Sequence, residues 1–243
     1  MSGHSKWSTI KNKKGKADVA RSNLFSKLSK AIMVTARSGG GDLDTNFALR
    51  LAIEKAKKAS MPKDNIERAV KSGSGELKGQ QIEEAIYEGY GPSGVAILVT
   101  ILTDNKNRTL PAVKSIFSKA GGSLSSTGSV QWMFERKGQA VILKSDLENK
   151  EMDKDDFELE MIEVGADDID FGDDEIIIQT KLEDLKNILE KLKEMNLDIE
   201  DSGLVWEAKD KVPVDDMTRE KISKLFDKLE DNDDVEDYFT NAD

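Results

Sequence analysis

The sequence predicts an α+β fold of three domains: an N-terminal three-helix bundle followed by two α/β (ferredoxin-like) domains, the second inserted into the first. Three observations carry this. Apolar residues recur at helical spacing through the first eighty residues, whereas short apolar and β-branched runs broken by turns follow a glycine-rich linker. One later stretch orders its elements strand-helix-strand-strand-helix-strand, the ferredoxin-like order. The last helix and strand have no sheet of their own, so they are expected to complete the middle domain. The expected division is 1–79 for a basic arm and bundle, 80–135 plus 206–243 for a discontinuous middle domain, and 136–205 for an acidic insert.

Residues 1–16 (MSGHSKWSTIKNKKGK) are polar, lysine-rich and aperiodic, with Trp7 and Ile10 as large apolar side chains, and read as an exposed arm. From 18 to 37, Leu24, Phe25, Leu28, Ala31, Ile32 and Thr35 share a helical stripe that Ser38-Gly39-Gly40-Gly41 ends. A second helix over 46–59 is apolar at Leu49, Ile53 and Ala56, and a third after Pro62 at Ile66, Ala69 and Val70. Strands are expected at 85–88 and 95–102 across a Gly/Pro turn, a helix over 110–120 before Gly121-Gly122, and a strand over 130–134. In the insert the strands are 140–143, a short one near Ile169, 175–180 and 199–205, and the helices 154–164 and 182–195. Thr180 with Glu183 is a capping-box signature for the second of these helices. A helix over 217–230 presents Ile222, Leu225, Phe226 and Leu229 on one face, and a strand over 235–239 closes the chain.

Charge is distributed unevenly. Residues 1–80 hold 17 Lys and Arg against 7 Asp and Glu, a balance of +10, and the remainder holds 19 against 40, a balance of −21, giving the total of −11. An acidic body repels phosphate polymers and a basic N-terminal module attracts them, so one face should meet nucleic acid. The longest apolar run, Val95 to Leu102, is far short of the roughly 20 residues that cross a bilayer. No secretory h-region or myristoylation pattern is visible, and there is no cysteine, so thiolate chemistry and disulfides are excluded. The expectation is a cytoplasmic protein with no membrane partner, cofactor, metal or small-molecule substrate.

Enzymatic motifs fail on context. Gly89-Tyr90-Gly91-Pro92-Ser93-Gly94 spells G-x-G-x-x-G, but it precedes a strand instead of following one, so a strand-connecting turn is expected. In the run from Asp167 to Glu175, setting Asp168 as first calcium ligand puts Asp173 where the EF-hand glycine belongs, which leaves a solvated acidic loop. His4, the only histidine, sits in the arm, where no triad could hold it rigidly. The densest basic stretch is Lys6, Lys11, Lys13, Lys14 and Lys16, followed by Arg21, Lys27 and Lys30; with Trp7 interleaved it suits phosphates and unpaired bases. A second candidate is the polar segment Thr103 to Thr109, read as a loop between a buried strand and a helix, with Asn105, Lys106, Asn107 and Arg108 as contacts.

Several motifs in order resemble the YebC/PmpR family: Gly3-His4-Ser5-Lys6-Trp7 with Ile10-Lys11 and Lys14; Tyr87-Glu88-Gly89-Tyr90-Gly91-Pro92; Thr103 to Thr109; Gly128-Ser129-Val130 with Trp132 and Phe134; and the terminal Asn241-Ala242-Asp243. The resemblance covers essentially the whole chain. It implies the same three-domain plan, no catalysis, and a role in gene expression through nucleic acid. Bacterial members are commonly assigned as DNA-binding transcriptional regulators; mitochondrial relatives look like translational activators, and easing of ribosomes through proline runs is also attributed to the family. By motif match, Lys6, Trp7, Lys11 and Lys14 of the arm and 105–108 are the implied contacts. Ser93 stands where many relatives have glycine.

DNA and ribosomal RNA, with the ribosome itself, are therefore the two expected partners. No recognition helix rich in Arg, Asn and Gln is visible, and a lysine arm on an acidic body suits ribosomal RNA better than duplex reading. The alternative from another class is an adaptor whose acidic domains dock a basic ribosomal or polymerase protein.

Overall fold

In a computed structural model that describes residues 17–77 and 81–243, helix α1 (Ala17–Gly39) buries Leu28, Ile32 and Ala36. They pack against Leu49, Ile53 and Ala56 of α2 (Phe47–Lys58) and Ile66 and Ala69 of α3 (Lys63–Gly73). The α1 stripe is narrower than its spacing suggests, because Leu24 is exposed. Asn46 joins two helices: its Oδ1 accepts from the Leu49 N–H and caps α2, while Nδ2 donates to the carbonyls of Thr35 and Gly40. Gly73 lets α3 approach α1, since a Cβ there would overlap the Met33 carbonyl oxygen and lie 2.8 Å from Ala36 Cβ. Gly73→Ala should therefore cost about 2 kcal/mol even though alanine favours helix, as overpacking outweighs propensity. Denaturant unfolding tests this, and an unchanged midpoint would refute it.

Two compact units make up the described chain, Phe134–Glu207 in one and residues 17–133 with Ala208–Asp243 in the other. In the second of these the strands are β1 (Glu83–Tyr90), β2 (Ala96–Thr103), β3 (Ser123–Leu124) and β8 (Val235–Thr240), in the order β3-β1-β2-β8, with each pairing antiparallel. Tyr87, Val99 and Tyr238 line up across the sheet. On that face Phe117 of α4 (Lys106–Lys119) lies over Gly89, and Phe226 of α8 (Asp216–Glu230) stacks on Tyr238 with centroids 4.4 Å apart. Every residue of β2 is buried, as an inner strand requires. The C-terminal residues are stitched in: the Ala96 N–H donates to Asn241 Oδ1 and the Val212 N–H to the Asn241 carbonyl.

The Gly89 to Gly94 segment is the β1–β2 turn. Ser93 holds φ of 59°, a left-handed conformation natural to glycine, and its Oγ lies 3.0 Å from Thr218 Oγ1.

Two expectations for this unit are overturned. Thr103 to Thr109 is not a loop: α4 starts at Lys106, because Asn105 Oδ1 accepts from the Arg108 N–H and nucleates a turn ahead of Pro111. Nor is 130–134 a strand. Val130 and Gln131 give their N–H groups to Glu88, so Gln131–Met133 forms a 3₁₀ turn and β4 (Phe134–Leu143) begins only at Phe134.

After β4 the other unit continues with α5 (Lys144–Asn149), which the sequence did not signal, α6 (Lys154–Glu163), β5 (Ala166–Phe171), β6 (Glu175–Thr180), α7 (Leu185–Glu194) and β7 (Ile199–Ala208). Its strand order, β5-β6-β4-β7, is the ferredoxin-like arrangement. Ala140, Ile142, Ile176 and Ile178 from the sheet and Phe157, Met161, Leu185, Ile188 and Leu192 from the helices are buried. The capping box is absent: Thr180 Oγ1 donates to the Gly165 carbonyl and α7 begins after Asp184. The acidic run is a hairpin and not a loop, with Asp167, Asp168 and Asp170 on edge strand β5. A register shift between Ala166 and Asp168, with Lys137 paired to Asp167 at 2.7 Å, protects that edge from further pairing.

Candidate nucleic-acid interface

Two of the motifs meet at Glu88. This β1 carboxylate is only 2% exposed, and it accepts three backbone N–H groups: Gly128 at 2.5 Å on Oε1, and Val130 at 2.7 Å and Gln131 at 2.8 Å on Oε2. The Glu88 carbonyl accepts from the Ser125 N–H, and Tyr90 Oη donates to the Ser129 carbonyl. Burial pushes the Glu88 carboxyl up, but the peptide N–H groups of Gly128, Val130 and Gln131 outweigh it and hold the group below its ordinary value. The segment Ser125 to Gln131 is thus wrapped around one buried charge. It ends at Trp132, a residue 64% exposed whose Nε1–H donates to the Ser129 carbonyl at 3.1 Å. Lys209 Nζ donates to the Trp132 carbonyl at 2.9 Å.

A second polar cluster surrounds Asp234, just before β8. Its carboxylate accepts from Lys30 Nζ at 2.6 Å, Thr109 Oγ1 at 2.7 Å and Arg108 at 3.0 Å. Thr103 and Thr109 hydroxyls are 2.7 Å apart beside it. Burial raises the Asp234 carboxyl, and the bonds from Lys30, Thr109 and Arg108 bring it down to about 2. Lys27 donates to the Glu230 carbonyl and Arg37 to the Ile82 carbonyl, so three cations of α1 seat the helical bundle on the sheet.

The predicted contacts fare differently. Lys6, Trp7, Lys11, Lys13, Lys14 and Lys16, with His4, lie outside the described residues. Asn105 is a helix cap, Lys106 pairs with Glu83 at 2.6 Å, and Arg108 is shared between Asp104 and Asp234. Asn107 is exposed on the first turn of α4. Three of these four side chains thus have intramolecular partners, and the segment braces the Asp234 cluster. Lys27 and Lys30 likewise belong to the bundle's seat. Residues 17–77 carry 11 basic and 7 acidic side chains, a balance of only +4, whereas 1–16 carry five lysines and no acid. Half of the N-terminal excess of +10 therefore lies in the arm.

Sequence pattern alone does not single out Glu88 or Asp234. Once the strand is placed Glu88 does carry a signal, since it faces inward, where an unpaired carboxylate is costly and must find donors. Asp234 carries none, since it stands in the acidic run Asp231 to Glu236.

These features define a class of protein: an α+β chain in which a helical bundle is seated by cations on a discontinuous antiparallel sheet, and a ferredoxin-like unit is inserted in that sheet's sequence. The TACO1/YebC protein N-terminal domain matches residues 5–76, and the TACO1/YebC second and third domain matches 82–242; the chain belongs to this family. Among its relatives, a protein of Halothermothrix orenii is 46% identical over all of this chain and 95% of its own length. One of Fervidobacterium nodosum is 48% identical over all of this chain and 94% of its own. Both are named probable transcriptional regulatory proteins. The crystal structure of a conserved hypothetical protein from Aquifex aeolicus superposes with a TM-score of 0.85 at 44% identity, covering 96% of this chain and 95% of the other.

Proposed function

We infer that the chain is a non-enzymatic nucleic-acid-binding regulator of gene expression that acts in the cytoplasm, with ribosomal RNA as its favoured target. The carrying observation is the charge split, +10 over residues 1–80 against −21 beyond. Relatives named as transcriptional regulators support a role in gene expression. The face of α3 supports RNA over duplex reading: Lys63, Asp64, Glu67 and Arg68 are all exposed there, and its carboxylates would oppose the phosphate walls of a major groove. The contacts assigned are the arm residues Lys6, Trp7, Lys11, Lys13, Lys14 and Lys16.

Reversing Lys11, Lys13 and Lys14 to Glu in the full-length chain should weaken binding to single-stranded RNA and flatten log K against log salt by about 2, since each phosphate contact contributes about 0.7 on single strands. An unchanged slope would remove the arm from the interface. Crosslinking in cells, with DNA and RNA recovered together, separates the targets: ribosomal RNA supports a role on the ribosome, and promoter DNA moves the role to transcription. A second reading, docking of a basic protein, has its own observation. Leu159 and Ile162 are exposed one helical turn apart on α6, among the carboxylates of Asp155, Asp156, Glu158 and Glu163. Crosslinks to protein alone would favour it.

A further inference from the structure

We propose that Trp132 is a preformed stacking platform for an unpaired nucleobase, far in sequence from the lysine arm, an inference that rests on the proposed binding of nucleic acid. Among the described residues it is the one exposed aromatic side chain. Its indole N–H is already spent on the Ser129 carbonyl, so what faces solvent is the π surface and not a donor. An exposed ring of this size is ordinarily a mobile one, yet this ring is tied by its own N–H and the backbone that carries it is held from several sides. Glu88 holds the N–H groups of Gly128, Val130 and Gln131; the Met133 N–H donates to the Val130 carbonyl; and Lys209 holds the Trp132 carbonyl. The ordering entropy that a ligand would otherwise have to overcome is therefore already lost in the free protein.

The surroundings select a base over a protein. From Gly121 to Phe134 the chain carries no charged residue, and the exposed neighbours on the loop are Ser126, Thr127 and Gly128. A protein hot spot would need an apolar surround that excludes water, which this polar loop does not offer. A flat ring amid hydroxyls and glycine, with the Lys209 ammonium at its own carbonyl, fits a base with its sugar and phosphate. Asp210 and Lys211, which follow Lys209, offset one another in charge. Stacking of this kind tolerates any base, since each has a π face.

The experiment uses the full-length protein and an end-labelled, mixed-sequence single-stranded RNA of about 12 nucleotides, within the usual range of site sizes. Trp132→Ala should lower affinity about 10-fold, Trp132→Phe should recover most of it, and the salt slope should stay that of the parent. An oligonucleotide with the same phosphates but abasic positions should bind the parent as weakly as Trp132→Ala binds the intact strand. Unchanged affinity in Trp132→Ala, with binding still lost on reversing the arm lysines, overturns the stacking site and leaves the proposed function standing. Failure of the parent to bind RNA overturns both. A photoreactive side chain at position 132 that captures protein and no RNA reassigns the ring to a protein interface and overturns the proposal.

Discussion

Asp234→Ala should destabilise the unit containing the bundle by about 3 kcal/mol, the range found when one partner of a buried charge pair is removed. Lys30 is the partner most affected: its side chain is 13% exposed and its ammonium points at Asp234 Oδ1 from 2.6 Å. Without the carboxylate that charge keeps the Asp233 carbonyl but no counter-charge, and Thr109 loses its acceptor at 2.7 Å. Arg108 falls back on Asp104 alone. Hydrogen exchange should rise first along α1, where Lys27, Lys30 and Arg37 donate to Glu230, Asp234 and Ile82. Asp234→Asn keeps the shape and one acceptor, so it should fall between parent and alanine variant. Denaturant midpoints in the order parent, Asn, Ala are expected, and a midpoint unmoved in the alanine variant would show that the cluster adds nothing to seating the bundle.

The same residue sets an acid limit. Its carboxyl lies at about 2 in the folded chain against an ordinary 3.8. A depressed carboxyl contributes stability that is complete above the ordinary value and is lost as pH falls through the folded one, here between about pH 4 and pH 2. The amount is on the order of 2 kcal/mol. Glu88 is also held below its ordinary value and loses its contribution in acid, so the quantity to read is the difference between parent and Asp234→Asn across this window. That difference should shrink as pH falls.

The elements were legible wherever one physical signal dominated. The helix stop at Gly39 to Gly41, the helix start after Pro62 and the apolar runs of β2 and β6 needed nothing beyond local pattern. Two of the misreadings share a cause, which is a side chain whose hydrogen-bond partner lies far away in sequence. Thr180 matches a capping box but spends its hydroxyl on Gly165. Val130 to Phe134 has strand composition, yet its leading N–H groups are claimed by Glu88 some forty residues earlier. The same holds for function. Lys30 and Arg108 are two more cations in a one-dimensional count of charge, and only the fold shows that both bond Asp234. Trp132 stood in plain view as a motif residue, but nothing local distinguishes an exposed tryptophan from a core one.

Glu88→Gln is the sharper test of how that tryptophan is held. The amide keeps one oxygen able to accept from Val130 and Gln131, while its NH₂ is turned toward the Gly128 N–H, donor against donor. The expected cost is about 2 kcal/mol, with Glu88→Ala costing more because three peptide N–H groups then lack an acceptor. The Trp132 indole N–H should exchange faster in both variants, as the bond to Ser129 depends on the wrapped loop. The substitution also removes a negative charge, so if phosphate attraction alone governed binding, Glu88→Gln would hold RNA as well as the parent or better. A preorganised ring predicts the opposite sign: affinity falls toward that of Trp132→Ala although the tryptophan is present and the net charge is more favourable. RNA titrations of the two variants side by side decide between these, and tighter binding by Glu88→Gln would show that the rigidity of the loop is irrelevant to recognition.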